Sequence, residues 1–523
     1  MTPDPAATEA DIASAVAPRP STAGMTTKVV KGSLWTLGGQ VAPLGVSLVT
    51  TPFVIRMLGA ESYGVLILVG LIPTYLGFAD FGMSMASTKF ASEAYAEGDA
   101  TREARIVRTA GLISLCTSLP FGIAIFALSG WLAAVFNVPA HLHAEASLAL
   151  KFAAVTFVLN FLNGIFNTPQ LTRLRMDLNT FVTSGFRILG LIATPFAVYL
   201  DGVVGAVFVL MLASLLTLAG HILISGRLVR HLFETTLERP AIRPMLKFGG
   251  ALVIGGIAGV LLVNLEKAVL ARTSNVETLA YYSVAFNFAM MATMFSSAML
   301  QSLIPAFSQL MTPEKRGQLN DLFLRALRMN IIGMLPVLVG LLVIARPLFT
   351  IWAGEDFGRE STGPFYILLA GLFFNLVAYI PYSLLMASGR TDIFAKLYWI
   401  ELVPYLGLIA LLTLKFGAAG AAAAWSIRVI VDAVVITLLA RRFVGISFSQ
   451  LTDKAAILVI ALFLLLAPLI PLGLLGEQSK WPFFLFAVCA TVYSIGVWKK
   501  LIEKGEKAWL ISKFHAAFGE QDR

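Results

Sequence analysis

Two stretches of this chain, 215 residues apart, carry the same residues in the same order. Asn160, Arg175, Asp177, Gly202, Gly205 and Ala206 return as Asn375, Arg390, Asp392, Gly417, Gly420 and Ala421. Upstream, Lys31, Gly39 and Arg56 return as Lys247, Gly255 and Arg272 at a spacing of 216. A unit repeated at this length is one folding module used twice, and the chain must place its two copies side by side. What repeats is mainly turn glycines and charged residues, the marks of a shared scaffold.

The repeat is written in apolar sequence. Of 523 residues, 58% are hydrophobic and 13% are charged, against about 25% charged in an ordinary soluble domain. Apolar runs of about 20 residues recur along the whole length, each enough to cross roughly 30 Å of hydrocarbon. The alternating segments of about ten residues that mark a β-barrel are absent. The expected fold is an all-α polytopic membrane protein with about fourteen transmembrane helices. They fall near 33–56, 62–84, 108–129, 147–170, 180–200, 203–225, 249–271, 280–305, 329–350, 364–387, 397–414, 417–439, 455–473 and 482–498. Six is even, so spans one to six and seven to twelve share one orientation. They form two pseudo-symmetric six-helix lobes about an axis along the membrane normal, an arrangement typical of transporters. Spans thirteen and fourteen are appended.

The organisation this gives is a disordered tail at 1–27, an N-lobe at 28–225 and an inter-lobe linker at 226–248. A C-lobe at 249–443, spans thirteen and fourteen within 444–498 and a basic tail at 499–523 complete it. The first residues lack the apolar core of a signal peptide, and Met25 is an alternative start. The linker is basic and partly amphipathic, which suits the membrane surface.

Charge placement fixes orientation. With the N-terminus inside, 29 of the 39 Lys and Arg lie on inner segments and six on outer ones. The positive-inside rule then puts both termini in the cytoplasm. The net charge of +9 is thus mainly a topology signal, with contact to anionic lipid heads as a second role, and does not point to nucleic acid. The outer loops, the longest near 129–146 and 351–363, have no room for a domain.

No catalytic signature is present: no GxxxxGK[ST], HExxH, CxxC or GxSxG. His141 and His143 share a loop without a full ligand set, so no metal site is expected. The informative residues are ionisable groups inside spans, each of which costs about 2.5–3.5 kcal/mol to insert at mid-bilayer. Arg187 stands in span five with no acid at helical spacing, which marks it as cavity-lining. Arg428 and Asp432 lie four residues apart in span twelve and can pair. Glu266 and Lys267 lie in span seven, Lys151 near the outer end of span four, and Asp80 and Glu401 nearer the inner ends of their spans. Lys151, Arg56 and Arg272 either snorkel to the outer interface or line the cavity. Cations prevail, so an anionic substrate is expected. Arg187 aligns with Leu402 and Arg428 with Ala213, so buried charge does not follow the repeat. The Arg-x-Asp of both copies, Arg175–Asp177 and Arg390–Asp392, reads as a clamp in the inner turns after spans four and ten.

The stretches KGSLWTLGGQ (31–40), TPFVIRMLGAESYGVLILV (51–69) and FADFGMSMASTKF (78–90), with the 6 + 6 + 2 layout, resemble the multidrug/oligosaccharidyl-lipid/polysaccharide exporter superfamily. Within it they resemble the polysaccharide-export branch of Wzx-type flippases. The resemblance implies alternating access in a bacterial cytoplasmic (inner) membrane. The implied substrate is an undecaprenyl-diphosphate-linked glycan passed to the outer leaflet, with glycosyltransferases and a polysaccharide polymerase as partners. Arg187, Lys267 and Arg428, with Lys151, Arg56 and Arg272, are then the candidate residues for the diphosphate and glycan. No cofactor is expected, and Glu266 and Asp432 are the candidate carriers of a coupling proton or sodium ion. Two other readings stand beside this one: a cation-coupled multidrug antiporter of the same superfamily, and a membrane glycan polymerase or ligase using Asp356 and Glu360.

Overall fold

The computed structural model describes residues 22–229, 231–234, 236–444 and 481–497. These are helical, with no β-strand among them. Helices cover the positions expected for spans one to twelve and fourteen; span thirteen and both chain ends lie outside the described residues. Among the described residues, seven helices are long and apolar enough to cross a membrane. Three of them are hinged pairs: Thr22–Tyr75 carries spans one and two, Met176–Leu228 spans five and six, and Thr391–Val444 spans eleven and twelve. The other spans fall in Ala100–Ala127, His143–Phe166, Arg239–Thr273, Val276–Ser308, Arg316–Ala353, Thr362–Ala387 and Trp481–Gly496, the eighth being broken at Ala292.

The hinges follow the repeat. Gly202 has φ 51°, ψ −134° and Gly417 has φ 55°, ψ −129°. That region is open only to glycine at little cost. Three residues on, a Cβ on Gly205 would stand 2.1 Å from the Ala197 carbonyl oxygen, and one on Gly420 would stand 2.0 Å from that of Leu412. Ala197 and Leu412 are themselves 215 residues apart. Each hairpin of spans therefore closes on the same two glycines, one for the turn and one for the close approach. Ala206 and Ala421 follow and are fully buried in one shared cluster.

The lobes meet at their outer ends, taking the inner face as the one to which the Lys/Arg bias assigns the basic segments. One apolar cluster joins Val54, Ile55 and Tyr63 of spans one and two to Tyr282, Phe349 and Phe365 of spans eight to ten. A second joins Val65, Leu68 and Phe157 to Ala271, Val276 and Leu279. The inner clusters are separate. One holds Leu303, Phe323, Leu384 and Ile436 of the C-lobe, and the other holds Met83, Ile106, Ile165 and Val229 of the N-lobe. Span one shows the consequence. Residues 35–42 are exposed on all sides except at Gly39, whereas from Pro43 to Ile55 exposure narrows to Gly45, Val49 and Phe53, a single stripe at four-residue spacing that widens again only at Arg56 and Met57 by the outer end. A narrow stripe is a lipid-facing surface, while exposure all round means free space on the second side too. The cleft between the lobes opens inward.

Two expectations change. The linker does not lie wholly on the membrane surface: from Arg239 it is already the helix of span seven. Met245 is buried in the inner N-lobe cluster, and Gly249 meets the Phe81 carbonyl oxygen. Arg105 pairs with Glu238 at 2.8 Å, and Arg108 donates to the His231 carbonyl oxygen and Thr236, so the linker is pinned to the start of span three. The inner clamp also moves. Arg175 pairs with Asp177 at the start of the next helix, 2.9 Å apart but half exposed, and its hydrogen bonds hold the Asp177 carboxyl below the usual carboxylate range. The bond that ties helices is two residues earlier. Arg173 pairs with the fully buried Glu103 of span three, stacks on Tyr95 at 4.5 Å and donates to the Leu228 carbonyl oxygen.

Two outcomes follow. Arg173→Ala strands a buried carboxylate and should lower stability by about 3–5 kcal/mol, whereas Arg175→Ala should change it by about 0–1 kcal/mol. Gly202→Ala and Gly417→Ala should each cost about 1–3 kcal/mol. Gly407→Ala, with no neighbouring atom within 4 Å of its Cβ, should not destabilise. Thermal unfolding of the purified protein in one detergent checks all five.

Candidate substrate cleft and coupling site

Span five shows what Arg187 faces. Its lipid-facing stripe is Phe181, Leu189, Ile192, Phe196 and Tyr199, all exposed. At 100° per residue, Arg187 lies about 160° round the helix from the middle of that stripe, yet it is exposed too. A side chain that is both exposed and turned away from lipid stands in interior space. Thr183, one turn before it on the same side, bonds His221 of span six at 3.1 Å, and His221 meets Gln170 at 3.2 Å. Asn160 and Asn163 of span four bond Ser214 of span six at 2.6 and 3.2 Å. The N-lobe interior is therefore polar and hydroxyl-rich around one guanidinium. Among the described residues, no hydrogen bond or ion pair holds Arg187.

The C-lobe is built the other way. Glu266 of span seven is fully buried and accepts from the Tyr405 hydroxyl of span eleven at 3.1 Å. The Arg428 guanidinium of span twelve lies 5.4 Å from the Tyr405 ring centre and 3.5 Å from the Glu401 carboxylate. Asp432 faces Glu401. From the outer turn at Gly417, a rise of 1.5 Å per residue places Arg428 and Tyr405 about 17 Å down and Asp432 and Glu401 about 23 Å down. The four side chains thus form two adjacent layers near mid-bilayer. Lys267 sits 4.4 Å over the Phe286 ring and 3.4 Å from Asn264, and the Tyr75 hydroxyl of span two donates to the Asn264 carbonyl oxygen.

The expected in-helix pair of Arg428 with Asp432 is replaced by a cross-helix pair with Glu401. The hinge at Gly417 folds span twelve back on span eleven, so a residue 27 positions away is nearer the guanidinium than one turn along its own helix. The expectation of prevailing cations also needs correction here. Glu266, Glu401 and Asp432 outnumber Lys267 and Arg428, and both cations are engaged. Four polar atoms of this cluster are buried without a partner: Glu266 Oε1, Glu401 Oε1, Arg428 Nε and Asp432 Oδ1. Each such atom costs about 1–3 kcal/mol, so four in one place concentrate an unmet demand for hydrogen-bond partners in this cluster.

The remaining candidates lie near the outer ends. Lys151 is 5.6 Å from the Phe126 ring of span three. Arg56 donates to the Ile351 carbonyl oxygen, and the Arg272 carbonyl oxygen accepts from Asn137. These cations do not converge with Arg187. Asp356 and Glu360, the carboxyls available to a polymerase, are both held by Arg359 at 3.1 and 2.9 Å. Among the described residues no cluster of His, Cys, Asp and Glu could hold a metal ion. His141 meets Glu61 at 3.5 Å, and His143 contacts the Val138 carbonyl oxygen. Tyr405 carried a sequence signal, standing one helical turn after Glu401. His221 and Gln170 had none that spacing could reveal.

Known proteins share this architecture. The family model described as "Polysaccharide biosynthesis protein" matches residues 29–311, more than half of the chain. A putative O-antigen transporter of Shigella flexneri is 24% identical over 427 residues, covering 80% of this chain and 99% of its own length. A probable low-salt glycan biosynthesis flippase, Agl15 of Haloferax volcanii, is 24% identical over 77% of this chain and 82% of its own. In three dimensions the chain is similar to the lipid II flippase MurJ in an inward closed conformation, with TM-score 0.67 and 17% identity over 89% of this chain and 97% of that one. It is also similar to an inward-facing multidrug resistance MATE family transporter of the MOP superfamily, with TM-score 0.65 and 13% identity over 76% of this chain and 94% of that one. With the repeated hairpins and the inward cleft, the match over residues 29–311 places the chain in the polysaccharide biosynthesis protein family.

Proposed function

We propose that this protein is a flippase that carries a polyprenyl-diphosphate-linked oligosaccharide from the inner to the outer leaflet by alternating access. It would work in a bacterial cytoplasmic membrane, with both termini inside. The observation that carries the reading is Arg187: an unpaired cation turned from lipid into a polar interior that opens inward. A diphosphate entering that space meets one strong donor in a low dielectric. The hydroxyl of Thr183, the imidazole of His221 and the amides of Asn160 and Asn163 suit a glycan behind it. The polyprenyl chain stays in lipid, since no apolar tunnel is needed for it. Glycosyltransferases inside would supply the substrate, and a polymerase outside would consume it.

The acidic C-lobe cluster supports ion coupling. A proton taken up among Glu266, Glu401 and Asp432 changes the net charge beside Arg428 by one, which changes what Arg428 must be paired with. Arg428 then acts within the coupling site, and Arg187 alone meets the substrate in the N-lobe. The same acidic excess is the one observation that favours the antiporter reading, because carboxylates attract cationic drugs. A deletion strain with an unchanged drug-resistance profile and lost surface glycan separates the two.

Arg187→Ala should reduce glycan export about tenfold or more at matched protein levels, as expected for one lost charge-assisted bond, with Arg187→Lys intermediate. Immunoblotting of surface glycan checks this, and export unchanged in Arg187→Ala removes the residue from the mechanism. In proteoliposomes, Glu266→Gln should abolish the response of transport to an imposed proton or sodium gradient while leaving gradient-independent exchange.

A further inference from the structure

Three backbone carbonyls at the outer ends of the lobes are left without helical partners by the local sequence. The Leu48 carbonyl oxygen would accept from residue 52 in a regular helix, but residue 52 is Pro and has no N–H. Ile351 lies in the last turn of Arg316–Ala353 and Arg272 in the last turn of Arg239–Thr273, where carbonyls have no donor ahead of them. Each of the three is taken by a side chain of the opposite half. The Trp352 indole donates to Leu48 at 2.9 Å, Arg56 donates to Ile351, and the Asn137 amide donates to Arg272 at 2.7 Å.

The arrangement follows the repeat. Asn137 and Trp352 are 215 residues apart, and Arg56 and Arg272 are 216 apart. Span nine is thus tied to span one, and the outer loop after span three to span seven, the two ties standing at equivalent positions of the repeat. Between the two ties, spans two and eight touch so closely that a Cβ on Gly64 would stand 1.9 Å from the Val276 carbonyl oxygen. Phe357 packs between Tyr63 and Tyr281, at 6.4 and 4.9 Å.

We propose that Asn137, Trp352 and Arg56 form a two-part latch that holds the outer face shut, with spans two and eight as the pivot between its halves. All three donors are side chains that can swing away, and Asn137 and Arg56 are exposed to water that can replace their bonds. Such bonds are weak enough to release and specific enough to close in one register. The helices themselves need not break, since no intrahelical bond is spent on the latch.

The test is hydrogen–deuterium exchange of the purified full chain, comparing wild type with Asn137→Asp, Trp352→Phe and Pro52→Ala. Asn137→Asp replaces a donor by an acceptor on an exposed site, and Trp352→Phe keeps an aromatic ring against Phe288. Pro52→Ala returns an amide to the Leu48 carbonyl and so competes with Trp352 without touching it. Losing one ordinary hydrogen bond shifts a two-state balance by about two- to tenfold. We expect faster exchange at the outer ends of spans one, seven and nine and in the loop after span three, with slower exchange at residues 35–42 of span one, which stand exposed at the open inner end. Unchanged exchange at both faces overturns the latch. A rise confined to the substituted segment, with no inner decrease, also overturns it, because it reduces the bonds to local structural contacts.

Discussion

A charge in the middle of a bilayer must be matched, hydrated or turned toward a polar space. The rest of this structure depends on how each half meets that constraint. The C-lobe gives its buried charges protein partners: Arg428 has Glu401 at 3.5 Å, Glu266 has the Tyr405 hydroxyl at 3.1 Å, and Lys267 has the Phe286 ring at 4.4 Å. The N-lobe leaves Arg187 unmatched and gives it a polar interior. Both solutions sit on one scaffold, since the hinges at Gly202 and Gly417 and the close approaches at Gly205 and Gly420 are the same in both copies. Symmetry supplies a cleft between equivalent lobes, and the departures from symmetry give the lobes different chemistry.

The same division orders the membrane axis. At the outer end the halves share two apolar clusters, and at the inner end each keeps its own. Burial therefore brings the outer face together, and the proposed hydrogen bonds to orphaned carbonyls latch it in one register. At the inner end the start of span seven reaches over the N-lobe, where Lys89 stacks on Phe248 at 4.7 Å. The linker is thus fastened to the N-lobe at both Glu238 and Met245, and a relative motion of the lobes must bend span seven beyond that point. Residues 249–259 hold Gly249, Gly250, Gly255, Gly256 and Gly259, a composition that bends at little cost.

Much of this was legible in the sequence, for identifiable reasons. Glycines in a special backbone region cannot be replaced cheaply, so the turns at 202 and 417 survive in both copies as a visible echo. Arg187 stood out because no acid lay at helical spacing, and that lack of a local partner persists in three dimensions. The partner of Arg428 was hidden because spacing reports neighbours on one helix, and the hinge at Gly417 brings Glu401 in from another. The same limit concealed the acidic excess of the C-lobe: Glu401 read as a residue near the inner end of its span, and only the fold sets it beside Asp432. Which donor takes the Leu48 carbonyl that Pro52 frees depends on how spans one and nine meet, and spacing along the chain does not report that.

The central claim is that a polar cleft with one free cation moves an anionic, lipid-linked glycan. The most direct measurement is translocation by the purified protein in proteoliposomes, with a short polyprenyl-diphosphate oligosaccharide placed in one leaflet and detected in the other by a lectin or glycosidase. Protein-dependent movement of the diphosphate-linked glycan, and none of a cationic dye, is the expected result. Movement of the dye without the glycan would contradict it.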